Sequence, residues 1–324
     1  MKEEEPITPG RGNLTALGVS QLVMFASGLI VQAFLARYLG KETFGTYSFL
    51  IGVTAMFAFL AHMNLRVLLA RRVARAPDTS GQMMGLGLVT TALLGLIATG
   101  GVVGYAWLRD GRPIVVVAAA IAGLALGSRG LARVAEAVFQ GLRRMGVMVQ
   151  GTLIERLVLV VGTIGLVLAG AGLPGVFAAQ LLASMAFLAV LVTRFQRTEA
   201  NIPLRFPGRE AWQLVVDARP FALNQLYGAI YLVSDLLILK EFHGDEEVGL
   251  YRAATILVLQ LPVVAVILNK GIYPRMARYL GDKDAAGKEL AFAVRALLAV
   301  SLPVAIGGIC VAGPLLVLIV GEPY

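Results

Sequence analysis

Long apolar runs alternate with short polar ones along the whole chain. Nine runs are of membrane-spanning length: 14–36, 47–69, 83–107, 114–139, 147–169, 175–193, 218–239, 250–270 and 289–312. About 20 apolar residues cross a bilayer core roughly 30 Å thick. Hydrocarbon offers the backbone no hydrogen bonds, so each run must satisfy its own and is predicted to be helical. The pattern predicts an all-α polytopic membrane protein with nine transmembrane helices. A polar leader, residues 1–12, precedes the first run, which has no obvious cleavage site; no cleavable signal peptide is expected.

One polar junction occurs twice. Leu35–Phe49 matches Leu239–Ala253 at an offset of 204, pairing Gly40, Glu42, Gly45 and Tyr47 with Gly244, Glu246, Gly249 and Tyr251. The same offset pairs Gln21 with Gln225, Arg66 with Lys270, Arg71 with Arg275 and Asp78 with Asp282. Identity elsewhere is weak, so glycine and polar matches carry the repeat. The glycines are expected to supply turn conformations, and a compact helical hairpin would suffice to explain the junction. Phe195–Glu210, with Pro203, Pro207 and Gly208, reads as a linker. The expected organisation is a six-helix N-lobe over 13–194, a cytoplasmic linker over 195–212, and the first three helices of a C-lobe over 213–324. An even number of spans per half places the repeat axis along the membrane normal. Two complete repeats would need roughly 408 residues, so the second lobe is expected to be incomplete.

Composition excludes a soluble domain: 58% of residues are hydrophobic, 15% are charged and the mean hydropathy is +0.79. With the N-terminus inside, the inner segments hold Lys2, Arg11, Arg71, Arg72, Arg75, Arg143, Arg144, Arg194, Arg197, Arg205, Arg209, Arg275, Arg278, Lys283 and Lys288. The outer loops hold only Arg37, Lys41, Arg109, Arg112 and Lys240. The net charge of +8 is thus mostly a signature of topology. A nucleic-acid partner is excluded, because these charges flank spans and form no aromatic-lined patch. Cys310 stands alone in an apolar run, so this chain offers neither a disulfide nor a zinc site.

Charges at membrane depth are costly and face the protein interior or a watery cavity. Arg129, Arg133, Glu136 and Gln140 form one helical stripe. A hairpin about 143–146 would bring Glu155 and Arg156 to similar depth and pair Arg133 with Glu155. The stripe is either a structural ion-pair network or the wall of a polar cavity. His62 and Arg66 fall one turn apart on one face, and Arg66 either snorkels to headgroups or enters the same cavity. Asn224, Tyr227, Tyr231 and Asp235 make a second stripe; Asp235 is either an ion-coupling carboxylate or a structural, hydrogen-bonded one. Glycines in 83–107 allow close helix packing. Pro262 and Pro303 invite bends in the last two runs.

Arg37-Tyr38-Leu39-Gly40 with Phe44-Gly45-Thr46-Tyr47, Glu247-Val248-Gly249-Leu250-Tyr251-Arg252-Ala253 and Tyr273-Pro274-Arg275-Met276-Ala277-Arg278 resemble polysaccharide-biosynthesis, Wzx-like oligosaccharide flippases. These belong to the multidrug/oligosaccharidyl-lipid/polysaccharide exporter superfamily. The resemblance implies two helical lobes around a central cavity in the cytoplasmic membrane. It also implies a polyprenyl-pyrophosphate-linked oligosaccharide as cargo, with a polymerase and glycosyltransferases as partners. An anionic headgroup needs cations in a hydrated cleft, and arginine fits phosphate bidentately. Arg66, Arg129, Arg133 and Arg252 are the candidates for that cleft. Asp235, Glu155, Asn224 and Gln225 are the candidates for H⁺ or Na⁺ coupling or for polar lining.

Two alternatives stand beside this reading. A cation-coupled multidrug exporter would favour acidic residues where this chain places arginine. A membrane glycosyltransferase or polymerase would need catalytic groups on a sizeable outer loop, and the outer loops here are short. No phosphate loop, metal cluster or nucleophile constellation is apparent, so neither a cofactor nor an enzymatic activity is expected.

Overall fold

The computed structural model describes residues 11–198, 202–203, 208–258 and 283–320. Among them are eight α-helices and one short 3₁₀ turn, with no strand. In chain order the helices are α1 (Arg11–His62), α2 (Leu65–Arg75), α3 (Ser80–Arg109), α4 (Pro113–Gly141), α5 (Met145–Leu168), α6 (Gly172–Thr198), α7 (Gly208–Val258) and α8 (Lys283–Val320). Seven helical stretches are long and apolar enough to cross a membrane. The protein is therefore all-α and polytopic.

The count differs from nine because paired runs merge. The 14–36 and 47–69 runs share α1, and the 218–239 run shares α7 with the start of 250–270, whose remainder lies outside the described residues. Pro262 and the Tyr273–Arg278 motif lie outside them too. At about 1.5 Å per residue a straight 52-residue helix would run well beyond twice the bilayer core, so α1 must bend. It does so at Gly40 (φ 74°, ψ 165°), and α7 bends at the repeat-related Gly244 (φ 84°, ψ −170°). Both conformations are accessible to glycine alone at little strain. The expected loop is thus a one-residue kink, present in both copies.

α1 and α7 pack on each other more extensively than any other pair of helices. Their contact is reciprocal. A methyl group on Gly45 would overlap the Asp245 carbonyl, and one on Gly249 would overlap the Lys41 carbonyl. Lys41 and Asp245 are themselves related by the repeat offset. Small residues bring α3 and α4 together as well: a Cβ on Gly95 would lie 3.0 Å from the Gly127 Cα.

A second break was not foreseen. Within the 47–69 run α1 ends at His62, and Met63 (φ 43°) and Asn64 (φ 49°) take left-handed conformations before α2 begins. Asparagine tolerates that region; methionine does so at a cost. His62 and Arg66 therefore sit on different helices rather than one turn apart. Leu65, Leu69 and Val73 recur every four residues along α2 and are buried: Leu65 and Leu69 beside Val134, Leu214 and Ala218 of α4 and α7, and Val73 in a neighbouring cluster with Ala135, Val138 and Phe139 of α4. Towards the other end, Leu35, Phe44, Phe49, Leu50 and Phe177 form a separate core.

Candidate functional site

The α4 stripe is surrounded by charge from three helices. Arg66 of α2 reaches across to donate a 3.1 Å hydrogen bond to Gln140 Oε1, and it lies 3.9 Å from Glu136. It is therefore engaged with α4. Arg129 makes a 3.0 Å ion pair with Glu155 of α5, whose side chain is only 7% exposed. The predicted Arg133–Glu155 pair does not form. The α4–α5 turn at 142–144 puts Glu155 level with Leu131, between the two arginines, so depth does not choose between them. Arg133 instead lines a narrow recess at the α1–α2 break, with His62, Asn64, Leu65, Arg66, Gly130 and Val134. Among the described residues no carboxylate lies within ion-pair distance of its half-buried guanidinium. His62 Nδ1 and Arg156 Nε are buried without a hydrogen-bond partner among the described residues.

The fourth arginine comes from the other half. Arg252 of α7 is half-buried, and it acts electrostatically on Tyr47, Asp235 and Tyr251. Tyr47 is buried and also feels Arg129 and Gln180. Asp235 is exposed; it accepts hydrogen bonds from the Tyr251 hydroxyl and from the Leu236 N–H, the latter at 2.8 Å. Asn224 is exposed, and Gln225 Oε1 is buried with no partner among the described residues. Neither is brought to the arginines. An apolar cleft of about 130 Å³ opens between α1, α3 and α7, lined by Val53, Met56, Phe57, Phe59, Tyr105 and Leu226. None of the four candidate arginines lines it.

A second charged cluster occupies the opposite end, the one that the charge pattern of the sequence predicts to be outer. Lys240 donates to Asp110 at 3.0 Å and also to Asp245. Arg112 grips Asp110 with two nitrogens and reaches Asp245 at 2.6 Å and Glu42 at 3.4 Å. Asp110, Asp245 and Lys240 are largely withdrawn from solvent, with side chains 4%, 10% and 12% exposed. Lys240 also sits 4.9 Å above the Phe49 ring.

A family model described as "Polysaccharide biosynthesis protein" matches residues 11–280. This chain belongs to the polysaccharide biosynthesis protein family. No curated protein matches it at a comparable level. Among solved structures, a chain titled "protein A" matches with a TM-score of 0.52 at 16% sequence identity, over 77% of this chain. The likeness is one of fold, and this chain spans 60% of the length of that one.

For this family member the outer cluster is what sequence reasoning missed. Arg112 and Lys240 entered only as topology charges, because residues 42–46, 110–112 and 240–245 meet solely through tertiary packing. The cluster has a pH signature. Arg112 foremost, with Lys240 adding to it, holds the Asp110 carboxyl well below the usual carboxylate range, at about 2, against the opposing effect of burial. Asp110 in turn raises the Arg112 guanidinium above its ordinary value. A carboxyl whose pKa falls on folding stabilises the protein above its unfolded pKa, and that stabilisation is lost as the pH falls through the folded value. Parent protein should therefore melt above Asp110→Asn by a constant margin from about pH 5 to 8, a margin that shrinks from about pH 4 towards 2. Melting curves in detergent across that range check this; a margin unchanged at about pH 3 removes the assignment.

Proposed function

We propose that this chain belongs to a flippase that moves polyprenyl-pyrophosphate-linked oligosaccharide from the inner to the outer leaflet by alternating access. Its setting is the cytoplasmic membrane, with the N-terminus inside. The lobe divided from the rest by the 195–212 linker rocks against the one that follows. No residue is assigned a catalytic role, and membership of the polysaccharide biosynthesis family supports a lipid-linked sugar as cargo.

The observation that carries this reading is the state of Arg133. A buried or half-buried cation without a counterion is unfavourable in a membrane protein unless an anion visits it. Arg66 and Arg129 flank it with charge partly answered by Glu136 and Glu155, leaving an excess of positive charge. A pyrophosphate supplies the missing negative charge, and guanidinium groups match its oxygens in pairs. Arg252 of α7, which acts electrostatically on Tyr47, can take over the headgroup as the halves rock. Asp235 and Glu155 remain the candidates for coupling to H⁺ or Na⁺.

The test uses Arg133→Gln, which removes the charge and leaves no carboxylate stranded. It should abolish complementation of a flippase-deficient strain while the variant inserts in the membrane at parental level. Complementation at the parental level by that variant refutes the cargo site. A multidrug exporter would instead retain drug efflux in the same variant.

A further inference from the structure

The outer ends of the two halves meet around the reciprocal glycine contact, and charge there is arranged unequally about the repeat. Lys41 of α1 pairs with Glu246 of α7 at 3.5 Å. The same pair generated by the repeat offset is Asp245 with Glu42, two acids. Left alone, they would push the halves apart. Arg112, carried on the α3–α4 turn, lies between them, 2.6 Å from Asp245 and 3.4 Å from Glu42, and also within 3.3 Å of the Thr46 hydroxyl. Asp110 fixes the guanidinium from behind, and Lys240 ties Asp110 to Asp245. The inner contact between the halves is different in kind. There Arg72 pairs with Asp217 in the open, with side chains 34% and 48% exposed, and Arg71 lies over the Phe221 ring. At the outer end Arg112 and Glu42 are exposed as well, at 43% and 73%, while Asp110, Asp245 and Lys240 are withdrawn from water; exposed pairs hold weakly, whereas a withdrawn acid is costly to leave short of a cation.

We propose that Arg112 is the latch of an outer seal: it bridges the like-charged Glu42 and Asp245 across the two repeats, and the outer ends part when it withdraws. This rests on the alternating-access reading for its purpose, but not for its test. Release leaves Glu42 facing Asp245 with no cation between them, which weakens a contact that Lys41–Glu246, Lys240–Asp110 and Arg109–Glu241 still hold. Asp110 and Lys240 act as positioning residues that aim it.

The experiment replaces Cys310 by serine and places one reporter thiol below the seal, Val53→Cys, at a residue that is buried and borders the apolar cleft. A membrane-impermeant maleimide is added outside intact cells. Arg112→Gln should speed labelling about tenfold, as expected when the withdrawn Asp245 loses one of its two cations and faces Glu42. Adding Glu42→Gln to Arg112→Gln should return labelling to near the parental rate, because the repulsion is gone. Arg112→Lys should stay close to the parent. Glu42→Gln alone, a change at an exposed side chain, should slow labelling below the parent and cannot be ascribed to misfolding. Unchanged labelling in both single glutamine variants, or a faster rate that Glu42→Gln does not reverse, overturns the latch. The outcome is separable from that of the cargo site: labelling reads the seal and complementation reads transport, so a complementing Arg133→Gln leaves the latch standing. Unchanged labelling beside an inactive Arg133→Gln removes the latch alone.

Discussion

Alanine at Gly45 should cost the protein its folded, detergent-stable form, and alanine at Gly249 should do the same. Each added methyl group would overlap a backbone carbonyl of the facing helix, Asp245 for one and Lys41 for the other. Backbone cannot rotate away as a flexible side chain can, so α1 and α7 would have to separate. That contact is the most extensive helix pairing in the protein. A loss of about 3 kcal/mol or more follows, at the upper end for an overpacked site. Two controls set the scale. Gly228 lies within α7 with open space around it, so Gly228→Ala should be neutral or stabilising by up to about 1 kcal/mol. Gly40→Ala meets no atom within 4 Å but must adopt φ 74°, which costs about 1–3 kcal/mol. Heat-challenged size-exclusion profiles of the four variants give the ranking. Gly45→Ala melting with the parent would show that the helices are not in the contact described.

Arg129→Ala should be the most damaging single change among the α4 charges. It leaves Glu155, 7% exposed, without its counterion. Breaking a buried pair from one side costs about 3–5 kcal/mol, and the partial exposure of Arg129 favours the lower end. Glu155→Gln on top of Arg129→Ala should recover most of that, since a neutral amide is far cheaper to bury. Arg133→Ala, with no pair to break, should cost about 1 kcal/mol or less. The double-mutant cycle over Arg129 and Glu155 measures the coupling directly. A cycle that instead couples Arg133 to Glu155 would reverse the pairing described.

Sequence alone reaches the class, the repeat and the α4 stripe because each depends on one helix at a time. Apolar length marks a span, and spacings of four and three residues put Arg129, Arg133 and Glu136 on one face. Periodicity gives face and depth but not sideways neighbours, so it could not decide which arginine meets Glu155. The break at Met63–Asn64 was hidden for another reason. It uses neither glycine nor proline, and the apolar pattern runs through it. Asn64 ahead of the Leu65, Leu69 and Val73 stripe was the available hint, since asparagine both tolerates left-handed backbone and precedes helices readily. The outer cluster needed three segments to meet, and nothing local to any one of them announces the others.

The mutual approach of Gly45 and Gly249 also bears on how the two copies could drift. Wherever a copy touches only its own neighbours, each can compensate its own changes, and the two sequences wander apart. Where copy meets copy, a bulkier residue on either side collides with the other's main chain, and no substitution in the offending copy's own surroundings relieves it. Four of the matched pairs, Gly40/Gly244, Glu42/Glu246, Gly45/Gly249 and Tyr47/Tyr251, fall in that one short stretch. Kinship between the halves has survived at the seam that joins them.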